Sequence, residues 1–141
     1  MLLVFFVLVF FVLVLYVYKE RFTGAKNILG TPLVPCCVTP GKVTGFFRDG
    51  MCSTGYEDTG THVVCAVVDD DFLQFTKSKG NDLITPRPGF PCLVRGDKWC
   101  LCALRWREAF ENGKAPKIIP ESTNEIALKY ISKDVLLRFT V

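Results

Sequence analysis

Thr61–Val68 reads THVVCAVV and runs directly into Asp69-Asp70-Asp71. The eight-residue run is β-branched and apolar, the composition of a buried strand. The three acids supply an N-cap and first-turn negative charge for a helix carrying Phe72 and Phe75, which ends at Lys79 before Gly80. A second strand-to-helix passage follows. Trp99–Ala103 is strand-like and continues into a helical pattern of Leu104, Trp106 and Phe110, stopped at Asn112-Gly113. Between the two passages, residues 81–97 carry three prolines and two glycines and predict a long ordered loop. Upstream, TGFFRDG at 44–50 and CSTG at 52–55 predict turns and short irregular strands. Downstream, Ser122 and Glu125 have capping-box spacing and open a short helix through Leu128; Val135–Val141 closes the chain as a short helix or an edge strand. The class is α+β, with loop-rich connections and no internal repeat.

The N-terminal residues are of another kind. Residues 1–18 read MLLVFFVLVFFVLVLYVY, without one charged side chain. As a helix this run would reach roughly 27 Å, close to the thickness of a bilayer's hydrocarbon core. Tyr16 and Tyr18 suit the headgroup level, and Lys19 and Arg21 follow at once as interfacial residues. A cleaved signal peptide would want basic residues before the run and a small-x-small site after it, and neither is present. A buried core helix would want a polar face, which the run lacks. The expected organisation is therefore a single transmembrane anchor over 1–21, an extended tether over 22–35 with Gly24, Gly30 and Thr-Pro-Leu-Val-Pro at 31–35, and a soluble cysteine-rich α+β domain over 36–141. Lys19, Arg21 and Lys26 follow the anchor, so the positive-inside rule places that domain on the cytoplasmic side.

All 17 basic and 14 acidic residues lie after the apolar run 1–18, and the net charge is only +3. Lys and Arg are interspersed with Asp and Glu, so the chain is not expected to bind nucleic acid. Seven cysteines (Cys36, Cys37, Cys52, Cys65, Cys92, Cys100 and Cys102) cannot all pair within one chain. On the cytoplasmic side stable disulfides are not expected, and the preferred reading is buried thiols acting as small hydrophobes. A zinc site is the sharper alternative, with candidate ligands Cys52, His62, Cys65, Cys100 and Cys102. The spacing opposes it. Cys100 and Cys102 in a strand share a face several ångströms apart, whereas His62 and Cys65 in a strand point to opposite faces. A thiol catalyst would have to use His62, the sole histidine, and no nucleophile signature surrounds any cysteine. No catalytic residue and no cofactor is therefore expected.

Other features have simple explanations. Glu57-Asp58 could act as acids or cation ligands, but Asp69–Asp71 are accounted for as a helix start. The glycines at 41, 45, 50, 55 and 60 lack the strand–loop–helix order of a phosphate-binding fingerprint. Phe46-Phe47-Arg48 and Trp99 have the composition of a recognition surface, although core packing is the preferred use for the Phe pair and Trp106. Arg87 and Arg95 are the only ligand chemistry in the loop 81–97.

The stretches TGFFRDG, CSTGYEDTGTHVVCAV, FLQFTKSKGNDLITPRP, GFPCLVRGDKWCLCALRWREAFENGKAP and ESTNEIAL, spread over nearly all of residues 29–130, resemble the family grouped as domain of unknown function 2237, mostly from bacteria. The resemblance implies a compact domain and carries no activity with it. The chain departs from the family pattern at Met51-Cys52, where a double cysteine is typical, and at Thr123-Asn124-Glu125, where Thr-His-Glu is typical. The anchor lies outside that pattern. Loss of a Cys and a His from a domain fixed to a membrane fits a borrowed scaffold better than a working enzyme. The expected function is a non-enzymatic, membrane-anchored structural subunit whose partners are a lipid bilayer and other protein subunits. A virion with an internal membrane is one setting that suits it. The alternative is a membrane-tethered thiol- or metal-dependent enzyme.

Overall fold

A computed structural model describes residues 6–15 and 24–141. Residues 6–15 are helical (α1), and every one of them is exposed although apolar. Ten residues of helix reach about 15 Å, half the hydrocarbon thickness of a bilayer. Among the described residues, no helix is long and apolar enough to cross a membrane. Tyr16, Tyr18, Lys19 and Arg21, expected at the membrane interface, lie outside the described residues.

The rest is a small α+β domain around a three-stranded antiparallel sheet of order β2-β1-β3, formed by β1 (His62–Val67), β2 (Lys98–Cys102) and β3 (Lys117–Ile118). The helices are α2 (Asp70–Ser78), α3 (Ala103–Glu111) and α4 (Lys133–Arg138), with 3-10 turns at Pro120–Ser122 and Glu125–Lys129. Both strand-to-helix passages are present as the sequence predicts. Asp69 caps α2 by accepting the Phe72 N–H at 2.8 Å, and α3 ends at Asn112. The two-residue β3 has no signal in the sequence; it exists because Ala66 and Val67 pair with it.

β1 is the central strand, and four successive residues from Val63 to Ala66 are fully buried. Continuous rather than alternating burial follows from cover on both faces. Val64 and Ala66, with their neighbours Leu101 and Trp99, join the main core of Phe72, Leu73, Trp106, Ala109, Ile118 and Leu136. Cys65 belongs instead to a separate buried cluster with Cys36, Cys52 and Cys100. Trp106 anchors the main core: it is fully buried, its Nε1–H donates to the Pro116 carbonyl at 3.1 Å, and Phe110 and Phe139 pack on its ring.

Two expectations change. From Gly24 to Pro35, the stretch read as an extended tether is pinned to the domain. Ile28 and Leu33 are buried, and the Ile28 N–H donates to the Thr123 carbonyl. Asn27, itself buried, donates through Nδ2 to Thr31, Pro32 and Glu121 and accepts the Leu29 and Thr31 N–H groups. One side chain thus replaces the backbone pairing that a tether would leave to water. The capping box is also not formed. Ser122 Oγ donates to the Pro35 carbonyl, and Asn124 caps the following 3-10 turn by accepting the Ile126 N–H.

Candidate functional site

Two constellations merit description: the cysteine cluster and a cavity along the edge of the sheet. In the first, Cys65 and Cys100 are cross-strand neighbours, and the segment 36–52 lies over them. Cys36 bonds Cys65, and Cys52 bonds Cys100. The buried-thiol reading is therefore corrected for these four residues. Cys37, Cys92 and Cys102 are free, which accounts for the odd number. Two bonds fasten an irregular segment that has little apolar area of its own to the sheet. By chain entropy, closing loops with sequence separations of 29 and 48 stabilises the domain by about 3–4 kcal/mol apiece.

The cluster also bears on the metal candidates. The Sγ atoms of Cys36, Cys52 and Cys65 lie within 4.8 Å of one another, so this buried group, once its disulfides are reduced to thiolates, could hold a metal ion. Cys36 was not among the sequence candidates, because a ligand 29 residues from its partner has no spacing signature. His62 and Cys102 are not part of that group. Cys52, Cys65 and Cys100 have their sulfurs committed to disulfides.

His62 and Cys102 meet elsewhere. A bulge between His62 and Val64 breaks the strand's alternation, so the opposite-face relation of His62 and Cys65 expected from a regular strand does not hold. The bulge sets His62 directly across from Cys102, a position that brings Cβ atoms to about 4.5–5.5 Å. Behind the imidazole stands Asp58, whose carboxylate is fully buried. Its Oδ1 is 2.6 Å from His62 Nδ1, while Oδ2 accepts the His62 N–H at 2.8 Å and the Thr54 hydroxyl at 3.0 Å. Burial works to raise the Asp58 pKa, but the bonds from the His62 ring and N–H, the His62 charge and the Thr54 hydroxyl outweigh it. The carboxyl is held below its ordinary value. With Nδ1 engaged by Asp58, Nε2 is the nitrogen left to serve the cavity.

The local backbone is built to hold this imidazole. Gly60 lies flat against it, and a Cβ there would come within 2.5 Å of His62 Cε1. Thr61 adopts φ 50°, a left-handed conformation that a β-branched residue rarely takes. Hydrogen bonds from Val63 and Ala103 to its carbonyl hold it there. Arg48 (φ 54°) and Cys92 (φ 50°) share that conformation, so the strained non-glycine residues lie in or next to the segments that form the cavity.

The cavity, of about 330 Å³, is bordered by Trp99 through Cys102 of the edge strand β2. Phe46, Arg48 and His62 also line it, as do Asn81, Leu83, Arg87 and Phe90. These last four come from the loop 81–97, ordered about Asp82. That carboxylate accepts the Ile84 and Thr85 N–H groups and the Thr85 hydroxyl, and the Thr85 bonds foremost hold its pKa far below the carboxylate range. The sequence offers Phe46-Phe47-Arg48 with Trp99 as a recognition surface and Arg87 as ligand chemistry in the loop 81–97; their convergence with His62 and Cys102 on one cavity has no local signal, because they come from separate segments.

Such an arrangement has the parts for thiol chemistry: a thiol, an imidazole across from it, and a carboxylate that orients the imidazole. No curated protein matches the chain. The model of the family described as an uncharacterised protein conserved in bacteria (DUF2237) matches residues 26–140, and the chain belongs to that family.

Proposed function

We propose that this chain is a membrane-anchored structural subunit of a larger assembly, with residues 1–21 as the anchor and the α+β domain as a rigid connector to other subunits. The observation that carries the reading is α1. All ten of its residues are apolar and exposed on every side, a pattern that suits lipid rather than water. The disulfide-fastened domain supplies the rigidity a connector needs. Lys19, Arg21 and Lys26 favour a cytoplasmic position for it, whereas two disulfides favour an oxidising one. A virion with an internal membrane reconciles the two, with insertion in the cell and cysteine oxidation once the particle has left it. Extraction of the full chain from its source membrane in mild detergent tests the proposal: it should migrate in a large stoichiometric complex. A monomer or small oligomer would end the reading. Arginine at both Leu8 and Leu13 should release the chain from the membrane fraction into alkaline carbonate.

A second reading is favoured by the Asp58–His62–Cys102 arrangement: a membrane-tethered enzyme with Cys102 as nucleophile, His62 as base and Asp58 as its orienting carboxylate. Iodoacetamide should then alkylate Cys102 several times faster in the wild type than in His62→Ala. Equal rates in two folded proteins would remove it. Zinc in place of the disulfides, held by Cys36, Cys52, Cys65 and Cys100, is tested by native mass spectrometry of the reduced chain with one equivalent of Zn²⁺.

A further inference from the structure

We infer that the cavity along β2 is a binding site for a small organic anion with a planar apolar body, gripped by Arg48 and Arg87. This site is distinct from the assembly role. It shares its cavity with the thiol reading but does not require Cys102 to react.

Charge carries the first part. Arg48 and Arg87 both border the cavity, and no Asp or Glu does. They also border the adjoining concavity of about 420 Å³, again without an acid. Among the described residues, neither guanidinium has a carboxylate within ion-pairing distance. The Asp58 carboxylate is engaged by the imidazole, and that of Asp82, between the lining residues Asn81 and Leu83, is engaged by Ile84 and Thr85. Two uncompensated cations in a concave, partly apolar wall concentrate positive potential where an anion would sit.

The second part is shape. Arg48 lies over the Trp99 ring at 5.1 Å, and Arg87 over the Phe90 ring at 5.0 Å. The two rings meet edge to face at 5.5 Å. The result is a continuous array of cation, ring, ring, cation. The Arg48 guanidinium is held by its Nη1–H bond to the Gly45 carbonyl at 2.6 Å, and paired backbone hydrogen bonds between Arg87 and Phe90 fix the turn from which Arg87 lies over the Phe90 ring. Guanidinium planes recognise carboxylate and phosphate oxygens through paired N–H donors, and a planar ligand body finds apolar partners in Phe46 and Phe90, the part-exposed rings of the cavity lining. A free inorganic anion would leave those two rings uncovered, and a neutral ring would leave the cations unmatched. The 330 Å³ volume falls at the small end of the range for small-molecule sites.

Calorimetric titration of the full chain in a neutral detergent tests this, with phenyl phosphate as the probe and inorganic phosphate and benzyl alcohol as its two halves. Phenyl phosphate should bind saturably at one site, at least tenfold more tightly than either half. Arg87→Gln and Arg48→Gln should each weaken it by about fivefold or more, whereas Arg107→Gln on the exposed face of α3 should leave it unchanged. Should Arg48→Gln not fold, because it loses the bond to the Gly45 carbonyl, Arg87→Gln carries the test alone. The alkylation rate of Cys102 reads the thiol chemistry separately, so failure of the thiol reading leaves this one standing. Absence of saturable binding, equal binding of inorganic phosphate or benzyl alcohol, or wild-type affinity in Arg87→Gln would overturn the inference.

Discussion

Residues 62–141 and residues 24–60 are held together by different physics. The first region is layered: β1 and β2 bury Val64, Ala66, Trp99 and Leu101 against α2, α3 and α4, and its stability comes from apolar area. The second has no strand or helix of its own beyond isolated bridges. Its order comes from two disulfides, the Asn27 hub, the Asp58 carboxylate and a 2.7 Å Lys42–Asp97 ion pair. Apolar burial is spread over many contacts and yields gradually. Point fasteners fail one at a time, so the two regions should respond differently to the same loss of free energy.

The largest effect should come from the layered region. Trp106→Ala removes a fully buried ring and its bond to Pro116, at a cost of about 3–5 kcal/mol, and chemical denaturation should show both regions lost together. Replacing Cys36 and Cys65 jointly by Ser should cost about 3–4 kcal/mol. Hydrogen exchange should distinguish it from Trp106→Ala: amides of residues 36–52 should exchange faster while those of α2 and α3 keep their order. Uniform acceleration in both regions would mean that the two halves form one cooperative unit and that the contrast is false.

The same division decides what could be read from the sequence. THVVCAVV, the acids at 69–71 and the pattern around Trp106 announce their elements because periodicity and caps are local signals, and all four elements they predict are present. In the region 24–60 the determinants are long-range. Asn27 bonds a carbonyl 94 residues away, and Cys52 bonds a sulfur 48 residues away. Neither distance leaves a local trace, so residues 22–35 read as a tether and Cys36 was overlooked as a cluster member. The Cys102–His62 pairing had a subtler cause. It depends on a one-residue bulge, and a bulge reverses the alternation from which faces are assigned.

Asp58 tests a single fastener without touching a disulfide. Asp58→Asn keeps the shape but presents an amide N–H₂ where one of the donors from Thr54 or His62 now points, at a cost of about 1–3 kcal/mol. The pH dependence has a definite sign. The folded-state pKa lies below the unfolded one, so the ionised carboxylate contributes fully above about pH 4 and its contribution is lost as pH falls through the folded value. Asp82, shifted in the same direction, adds to the same acid limb. Urea melts between pH 6 and pH 3 should therefore fall less steeply for Asp58→Asn than for the wild type. Parallel curves would show that Asp58 is not a titrating fastener.

The smallest effect should be at Asp69, where the layered region uses a point contact of its own. Its carboxylate accepts the Phe72 N–H at the junction of β1 and α2, one of the donors a helix N-terminus leaves unpaired. Asp69→Ala should cost about 1 kcal/mol, seen as a lower urea midpoint with an unchanged slope. Asp69→Asn should restore most of it, because the cap is a hydrogen bond to an oxygen. Asp70 and Asp71 remain to favour the helix dipole in both variants. If Asn failed to restore stability, charge would dominate the cap, and Asp71→Ala, which also removes an exposed contact to Lys114, should then destabilise α2 as much as Asp69→Ala. If Asn restores it, Asp71→Ala should change stability by less than Asp69→Ala. The loss at Asp69 should in either case stay local to α2, because the buried Phe72 and Leu73 still hold the helix to the sheet while its first turn frays.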